Sequence, residues 1–143
     1  MQKYAGVTIS CHGHPHITAL HPSTLEITRE PAVTLRGDCI VGVGAVRGAR
    51  DLPPDVRDLL CRDEARVTAC FRCRGLTVVL HGHGSRKMTL SDPSDMVFRR
   101  SHFVCGRTVA IGTDLTARLF PRDFVEELRR GHPMTVEISV FVP

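Results

Sequence analysis

Alternation of apolar and polar residues predicts a series of short β-strands along the chain. In the segment 24–30, Leu25 and Ile27 face one way, while the polar residues between them face the other. The segment 38–46 is apolar on both faces, which is typical of a central strand; Gly42 and Gly44 share one face of it, which indicates a bulge or a close neighbour. By the same criterion, further strands are predicted at 7–11, 66–73, 76–81, 96–100, 107–111 and 135–142.

Helical periodicity occurs in only two places. Pro53 and Pro54 begin the first predicted helix, which extends to about residue 63, and the second helix covers 121–130 and ends at Gly131. Two helices so far apart do not suggest a repeated βαβ order, and we identify no internal repeat. The sequence therefore predicts a mainly β fold in one domain, residues 1–143, with sandwich-like or jelly-roll-like antiparallel sheets and two short helices.

Composition narrows the class of protein. The chain has 143 residues, of which 42% are apolar and 24% charged, values close to those of ordinary globular domains. No run of 18 apolar residues exists, so no membrane span is expected, and the first residues lack the pattern of a signal peptide. We therefore expect a cytoplasmic protein with no membrane partner.

The basic residues are almost all arginine. The net charge is +4, and only Lys3 and Lys87 among 19 basic residues are lysine. Arginine favours bidentate recognition of phosphate or carboxylate, although a GC-rich gene or a hot habitat would give the same bias. The chain contains no asparagine and only one glutamine, Gln2, which fits a hyperthermophile.

The chain contains six cysteines. Cysteines of cytosolic proteins are usually free thiols, although intracellular proteins of hyperthermophiles can form disulfides. Cys70 and Cys73 form a CxxC, but in a strand the odd spacing places them on opposite faces, which prevents joint metal binding. We interpret these two cysteines as structural thiols.

Histidines cluster at two places. His12-Gly-His14-Pro-His16 is followed by His21, and His81-Gly-His83 ends a predicted strand, where alternate residues share a face. A His-x-His pair suits a divalent transition metal such as zinc, copper, iron or nickel, given a further ligand such as Glu26 or Asp38. These histidines could equally be surface residues of loops.

Arginine and hydroxyl side chains come together in the segment 99–108. Arg99-Arg100-Ser101 and Arg107-Thr108 could form a surface that recognises phosphate, or simply a solvated charged face. Stacking on nucleic-acid bases would require Phe98 or Phe103 to be exposed. Arg36-Gly-Asp38 could bind a ligand or form a turn with an ion pair. P-loop, GxGxxG, GxSxG and HExxH motifs are absent.

Several blocks resemble a family of small archaeal proteins of unknown function. They are GHPHITALH at 13–21, TLEITRE at 24–30, RGDCIVGV at 36–43, MVFRRS at 96–101 and RTVAI at 107–111. The family is similar to archaeal structural-genomics targets with a β-sandwich-like fold, which implies an archaeal cytoplasm and no established activity. The chain departs from the family pattern at His16, where an asparagine is expected, and at 112–117, where an expected lysine is absent.

The resemblance and the residue types together define the candidate site residues. The catalytic candidates are His14, His21, Glu26 and Asp38; the binding candidates are Thr24, Arg36, Arg99, Arg100, Ser101, Arg107 and Asp114; the metal candidates are His81 and His83. Three functions follow as hypotheses: an RNA- or phosphate-binding protein of information processing, a small enzyme with or without a bound metal, or a structural or partner-binding module without chemistry.

Overall fold

The computed structural model describes residues 2–143, and these form eight strands and two short α-helices. This confirms the predicted mainly β fold. The strands are β1 Lys3–His12, β2 Thr24–Thr28, β3 Ile40–Gly42, β4 Arg66–Cys73, β5 Leu76–His83, β6 Asp95–Arg99, β7 Thr108–Ala110 and β8 Pro133–Val142. The helices are α1 Pro54–Leu60 and α2 Arg122–Arg129, each preceded by a 3-10 turn, Ala49–Asp51 and Ala117–Leu119.

The strands form two four-stranded sheets. The first has the order β1-β8-β4-β5 and is antiparallel throughout. The second has the order β3-β2-β6-β7; its central pair is antiparallel and its two outer pairs are parallel, which the prediction of antiparallel sheets did not include. Isolated bridges at His12–Val43 and His83–Ile111 join the sheets at both edges, so the strands enclose the core as in a barrel.

The two halves of the chain repeat the same structure, so the expectation of no internal repeat was wrong. A long strand, two short strands, a 3-10 turn, an α-helix and a long strand occur in β1–β4 and again in β5–β8. Equivalent hydrogen bonds recur in both halves: Val46 N donates to Ser10 O at 3.1 Å, and Asp114 N donates to His81 O at 3.0 Å. Residues at matching positions of the two halves are called counterparts below.

The two halves are interleaved around a pseudo-twofold axis. In the antiparallel pair of β4 and β8, Cys70 lies opposite its own counterpart, Glu137. In the pair of β2 and β6, Glu26 likewise lies opposite its counterpart, Val97. The axis therefore passes through the middle of both sheets. Because β1 pairs with β8 and β2 pairs with β6, most strand pairing joins one half to the other.

Apolar side chains from both sheets and both helices fill the space between the sheets. Phe71 packs edge-to-face against Phe98 at 5.8 Å and against Phe120 at 5.3 Å between ring centroids. All three rings are buried. Among residues 2–143, no helix is long and apolar enough to cross a membrane.

The segment 38–46 differs from its prediction as a central strand. Only Ile40–Gly42 is extended, and it lies at the edge of the second sheet. Gly44 has φ of +61°, which ends the extended backbone. The predicted close neighbour of Gly42 is confirmed, because a Cβ there would lie 2.9 Å from both Cys11 Sγ and Met134 Cε.

Candidate functional site

Polar side chains gather on the outer face of the second sheet, where the pseudo-twofold axis crosses it. On β2 and β6, Leu25, Ile27, Met96 and Phe98 belong to the core, so alternation places the residues between them on the opposite face. We call the polar residues around this point the axial cluster: Glu26, Asp95, Arg99, Cys105, Arg107 and Thr108.

Glu26 is buried beneath an arginine. Arg107 Nη1 donates to Glu26 Oε1 at 2.9 Å and to Asp95 Oδ2 at 3.4 Å. The side chain of Glu26 is 7% exposed and that of Arg107 is 41% exposed, so the guanidinium covers the carboxylate. Burial, helped by the nearby Asp95, raises the pKa of Glu26 to about 7 although Arg107 opposes the shift. The cluster therefore contains a carboxyl group that titrates near neutral pH.

Arg99 makes a second group of contacts beside this ion pair. Its Nε donates to Thr108 Oγ1 at 3.1 Å, and its Nη2 donates to Cys105 Sγ at 3.3 Å. Burial by itself would raise the pKa of Cys105, but hydrogen bonds from Thr108, Arg99 and the Arg107 backbone lower it to about 7. A partly exposed thiol with substantial thiolate character therefore lies next to an arginine.

An aromatic ring extends the cluster towards solvent. Phe103 is 61% exposed, and the guanidinium of Arg99 lies over its ring, 5.0 Å from the centroid. Phe98, the other candidate for stacking, is fully buried. Arg100 and His102 are exposed on the same segment, so this surface combines arginines, an imidazole and an accessible aromatic ring.

The fold does not require these polar side chains, as the symmetric half of the molecule shows. The register places Val97 opposite Glu26 at the axis, and Thr28 occupies the position that corresponds to Arg99. Glu26 N donates a hydrogen bond to Cys39 O, and its counterpart Val97 N donates one to Arg107 O. Cys39 is therefore the counterpart of Arg107. The cluster is thus an asymmetric feature on a repeated backbone.

Some of the predicted site residues lie beside the axial cluster. His21 Nδ1 accepts a hydrogen bond from Thr24 N at 3.1 Å, and the Asp38 carbonyl accepts one from His21 N at 3.1 Å. Thr24 is paired with Arg99 across β2 and β6. Ser101 caps the following turn, because its Oγ accepts from Phe103 N at 3.4 Å.

Other predicted residues lie elsewhere. His14 is close to His16, with ring centroids 5.0 Å apart. Arg36 and His16 line a separate cavity of about 510 Å³, together with Thr34 and Leu35. The structure therefore does not bring His14 or Arg36 into contact with the axial cluster.

His81, His83 and Asp114 line a further cavity on the outer face of the first sheet. Asp114 Oδ2 lies 3.0 Å from His81 Nδ1, so one nitrogen of this ring is already engaged. Within residues 2–143 no group of three or more His, Cys, Asp or Glu side chains could hold a metal ion. A metal at His81 and His83 stays a prediction.

Asp95 and Cys105 were not among the predicted site residues. Asp95 reaches Glu26 only because β2 pairs with β6, and Cys105 reaches Arg99 only because β6 pairs with β7. No local motif marks either residue; the internal repeat, once recognised, would have identified the pairing of β2 with β6.

Comparison with known proteins identifies the family of the chain. Residues 9–141 match the family described as a domain of unknown function, DUF371. The chain belongs to this family. It is similar to the uncharacterised protein MJ0206 of Methanocaldococcus jannaschii, with 31% identity over 132 residues that cover 92% of this chain and 97% of that protein. DUF371 thus extends over both repeated halves and includes the whole axial cluster.

Proposed function

We propose that this protein binds single-stranded RNA through the axial cluster and Phe103. The observation that carries the proposal is the exposed Phe103 ring under the Arg99 guanidinium, 5.0 Å from the ring centroid. One face of the ring is covered by Arg99, and the ring is 61% exposed to solvent, so a base can stack on it. The flanking arginines supply donors for the phosphate groups.

The electrostatics of the surface favour an anionic partner. Arg99 is held by a hydroxyl and a thiol and forms no salt bridge within residues 2–143. Arg100 is exposed nearby, and the chain as a whole carries a net charge of +4. Arginines without a carboxylate partner can bind phosphate without first breaking an ion pair.

A single strand fits this surface better than a duplex. Bases in an A-form helix are stacked on one another and cannot also stack on a protein ring, whereas unpaired bases can. The site also offers no dinucleotide or triphosphate loop. All six cysteines are free, which suits the reducing cytoplasm in which we place this binding, in an archaeal cell.

Fluorescence anisotropy with a labelled RNA oligomer tests this proposal. We expect binding that weakens as salt rises from 50 to 200 mM, because phosphate contacts release counterions. Phe103→Ala should weaken binding by about 5- to 160-fold, which corresponds to the loss of about 1–3 kcal/mol of stacking. Arg100→Ala should weaken it less and should also reduce the salt dependence.

Arg72 provides the matched control. It is an exposed arginine on β4, in the other sheet, and its only ion pair among residues 2–143 is a long one of 3.9 Å to Glu137. Arg72→Ala should leave RNA affinity unchanged. Absence of binding at 50 mM salt, or equal effects of Arg72→Ala and Phe103→Ala, would contradict the proposal. A DNA oligomer of the same sequence separates recognition of RNA from recognition of any single strand.

A further inference from the structure

A cavity of about 500 Å³ lies on the outer face of the first sheet, lined mainly by residues of β1, β4, β5 and β8. Strand register places two rows of side chains along its floor. One row is Tyr4, Phe141, Arg66 and His83, and the next is Gly6, Ser139, Thr68 and His81. The volume falls within the usual range for sites that bind small molecules.

Two aromatic rings and one glycine give this cavity its shape. Tyr4 pairs with Phe141 across β1 and β8, which places the two rings side by side on one face. Gly6 contributes no side chain to the next row, and Tyr4 leans across it so that its hydroxyl lies 3.1 Å from Ser139 Oγ. The cavity therefore has a partly aromatic wall, with the hydroxyl groups of Tyr4 and Ser139 beside it.

The charged groups of the cavity are one guanidinium, on Arg66, and one carboxylate, on Asp114. Asp114 is the only carboxylate among the lining residues, and it accepts hydrogen bonds from His81 N at 2.7 Å and from His81 Nδ1 at 3.0 Å. Arg66 is exposed and forms no salt bridge within residues 2–143. The cavity therefore presents a guanidinium whose charge is not balanced by a neighbouring carboxylate.

The symmetric half of the molecule shows that the fold does not need these side chains. The counterparts of His81 and Asp114 are Ser10 and Val46, which form the same backbone hydrogen bond at 3.1 Å without any side-chain pair. The counterpart of Arg66 is Pro133, because each begins its long strand. The His81–Asp114 pair and the free arginine thus occur on one side only.

We propose that this cavity binds a small planar organic anion, with its ring against Tyr4 and Phe141 and its anionic group on Arg66. Asp114 holds the His81 imidazole in a fixed orientation at the edge of the site, where its other nitrogen can contact the ligand. The proposal does not depend on RNA binding, because the two surfaces share no residue. A nucleoside monophosphate and an aromatic carboxylate both have this chemistry.

Tyrosine fluorescence reports on this cavity directly, since Tyr4 is the only tyrosine and the chain has no tryptophan. The full chain is titrated with AMP, with benzoate and with inorganic phosphate, and isothermal calorimetry measures the affinities in parallel. We expect at least one ring-bearing anion to bind and to change Tyr4 emission, whereas inorganic phosphate binds at least tenfold more weakly. Comparison of AMP with benzoate then identifies which anionic group is preferred.

Two substitutions and one control decide the outcome. Arg66→Gln should weaken binding of the ring-bearing anion at least tenfold. Asp114→Val, which copies the residue at Val46 and so preserves the backbone, should weaken it severalfold. Arg72→Gln is the control, because Arg72 lies on the same face of β4, six residues farther along the strand.

The proposal is overturned if neither AMP nor benzoate binds, or if Arg66→Gln binds as tightly as the unmodified protein. It is also overturned if inorganic phosphate binds as tightly as the ring-bearing anions, since the aromatic wall would then have no role. Equal losses in Arg66→Gln and Arg72→Gln would likewise show that the anion is held by general charge and not by this cavity. Thermal unfolding of each variant confirms that it is folded before binding is compared.

Discussion

Two cysteines near the axis differ in acidity because their neighbours differ. Burial raises the pKa of Cys39 to about 11, and the nearby carboxylates of Glu26 and Asp38 add to the shift. Cys105 is surrounded instead by hydrogen-bond donors and an arginine, and its pKa is about 7. At neutral pH roughly half of Cys105 is therefore thiolate, whereas Cys39 is protonated.

This difference predicts selective alkylation of Cys105. With iodoacetamide at pH 7, Cys105 should react at least roughly tenfold faster than Cys39, because the thiolate is the reactive form. Arg99→Thr, which copies the residue at Thr28, should move the midpoint of the rate to higher pH. Mass spectrometry of tryptic peptides across a pH series measures both rates. Equal rates for the two cysteines, or a midpoint unmoved by Arg99→Thr, would refute the role given to Arg99.

The raised pKa of Glu26 predicts that the stability of the protein depends on pH. Its pKa is raised from 4.5 to about 7, first by burial, so between these values the folded protein holds a proton that the unfolded chain has released. Stability therefore falls as pH rises through this range, by up to about 3 kcal/mol. Glu26→Gln removes this part of the slope. Urea unfolding of both proteins at pH 5, 6, 7 and 8 measures the difference, and parallel stability curves would contradict it.

Directly after the long strand that begins each half, a glycine lies against the end of the helix from the other half. A Cβ on Gly13 would collide with the Leu128 carbonyl at the end of α2, and a Cβ on Gly84 would collide with the Leu60 carbonyl at the end of α1. The equivalent glycines thus let the backbone of each half approach a helix end closely.

Gly13→Ala and Gly84→Ala should each destabilise the protein by roughly 3 kcal/mol or more, because backbone must move to accept the methyl group. Gly6→Ala is the control: its Cβ would have no contact closer than 3.4 Å, and we expect a change below about 1 kcal/mol. Chemical denaturation gives the free energy of unfolding for each variant. A cost for Gly13→Ala no larger than that for Gly6→Ala would show that this contact can relax.

At the scale of elements, the local sequence pattern predicted the positions of most strands but not which strands pair with one another. Strands are predicted at 66–73 and 76–81, and they form the hairpin of β4 and β5 with a turn at Arg74 and Gly75, because alternation and a glycine turn are both local signals. The segment 38–46 is predicted as a central strand because it is apolar on both faces. Its burial comes from packing against Cys11 and Met134 and not from a central position in a sheet.

At the scale of the whole molecule, the repeat was present in the sequence but weak. His12-Gly13 corresponds to His83-Gly84, and Pro22-Ser23 corresponds to Pro93-Ser94, but most other positions have diverged. The pairing of β2 with β6, which creates the axial cluster, follows from this symmetry and from no local motif. Arginine-rich segments could therefore be identified from sequence, whereas their neighbours Asp95 and Cys105 could not.

We propose that the repeated backbone carries a nucleic-acid surface on one face only. Backbone NMR of the full chain, titrated with a single-stranded RNA oligomer, tests this most directly, because a 15.8 kDa protein gives resolved amide signals. The account predicts that the shifted amides concentrate in β6, in the segment 100–107 and around Glu26, with little change around Tyr4 and Arg72 on the first sheet. No shifts at low salt, or shifts centred on the first sheet, would contradict it.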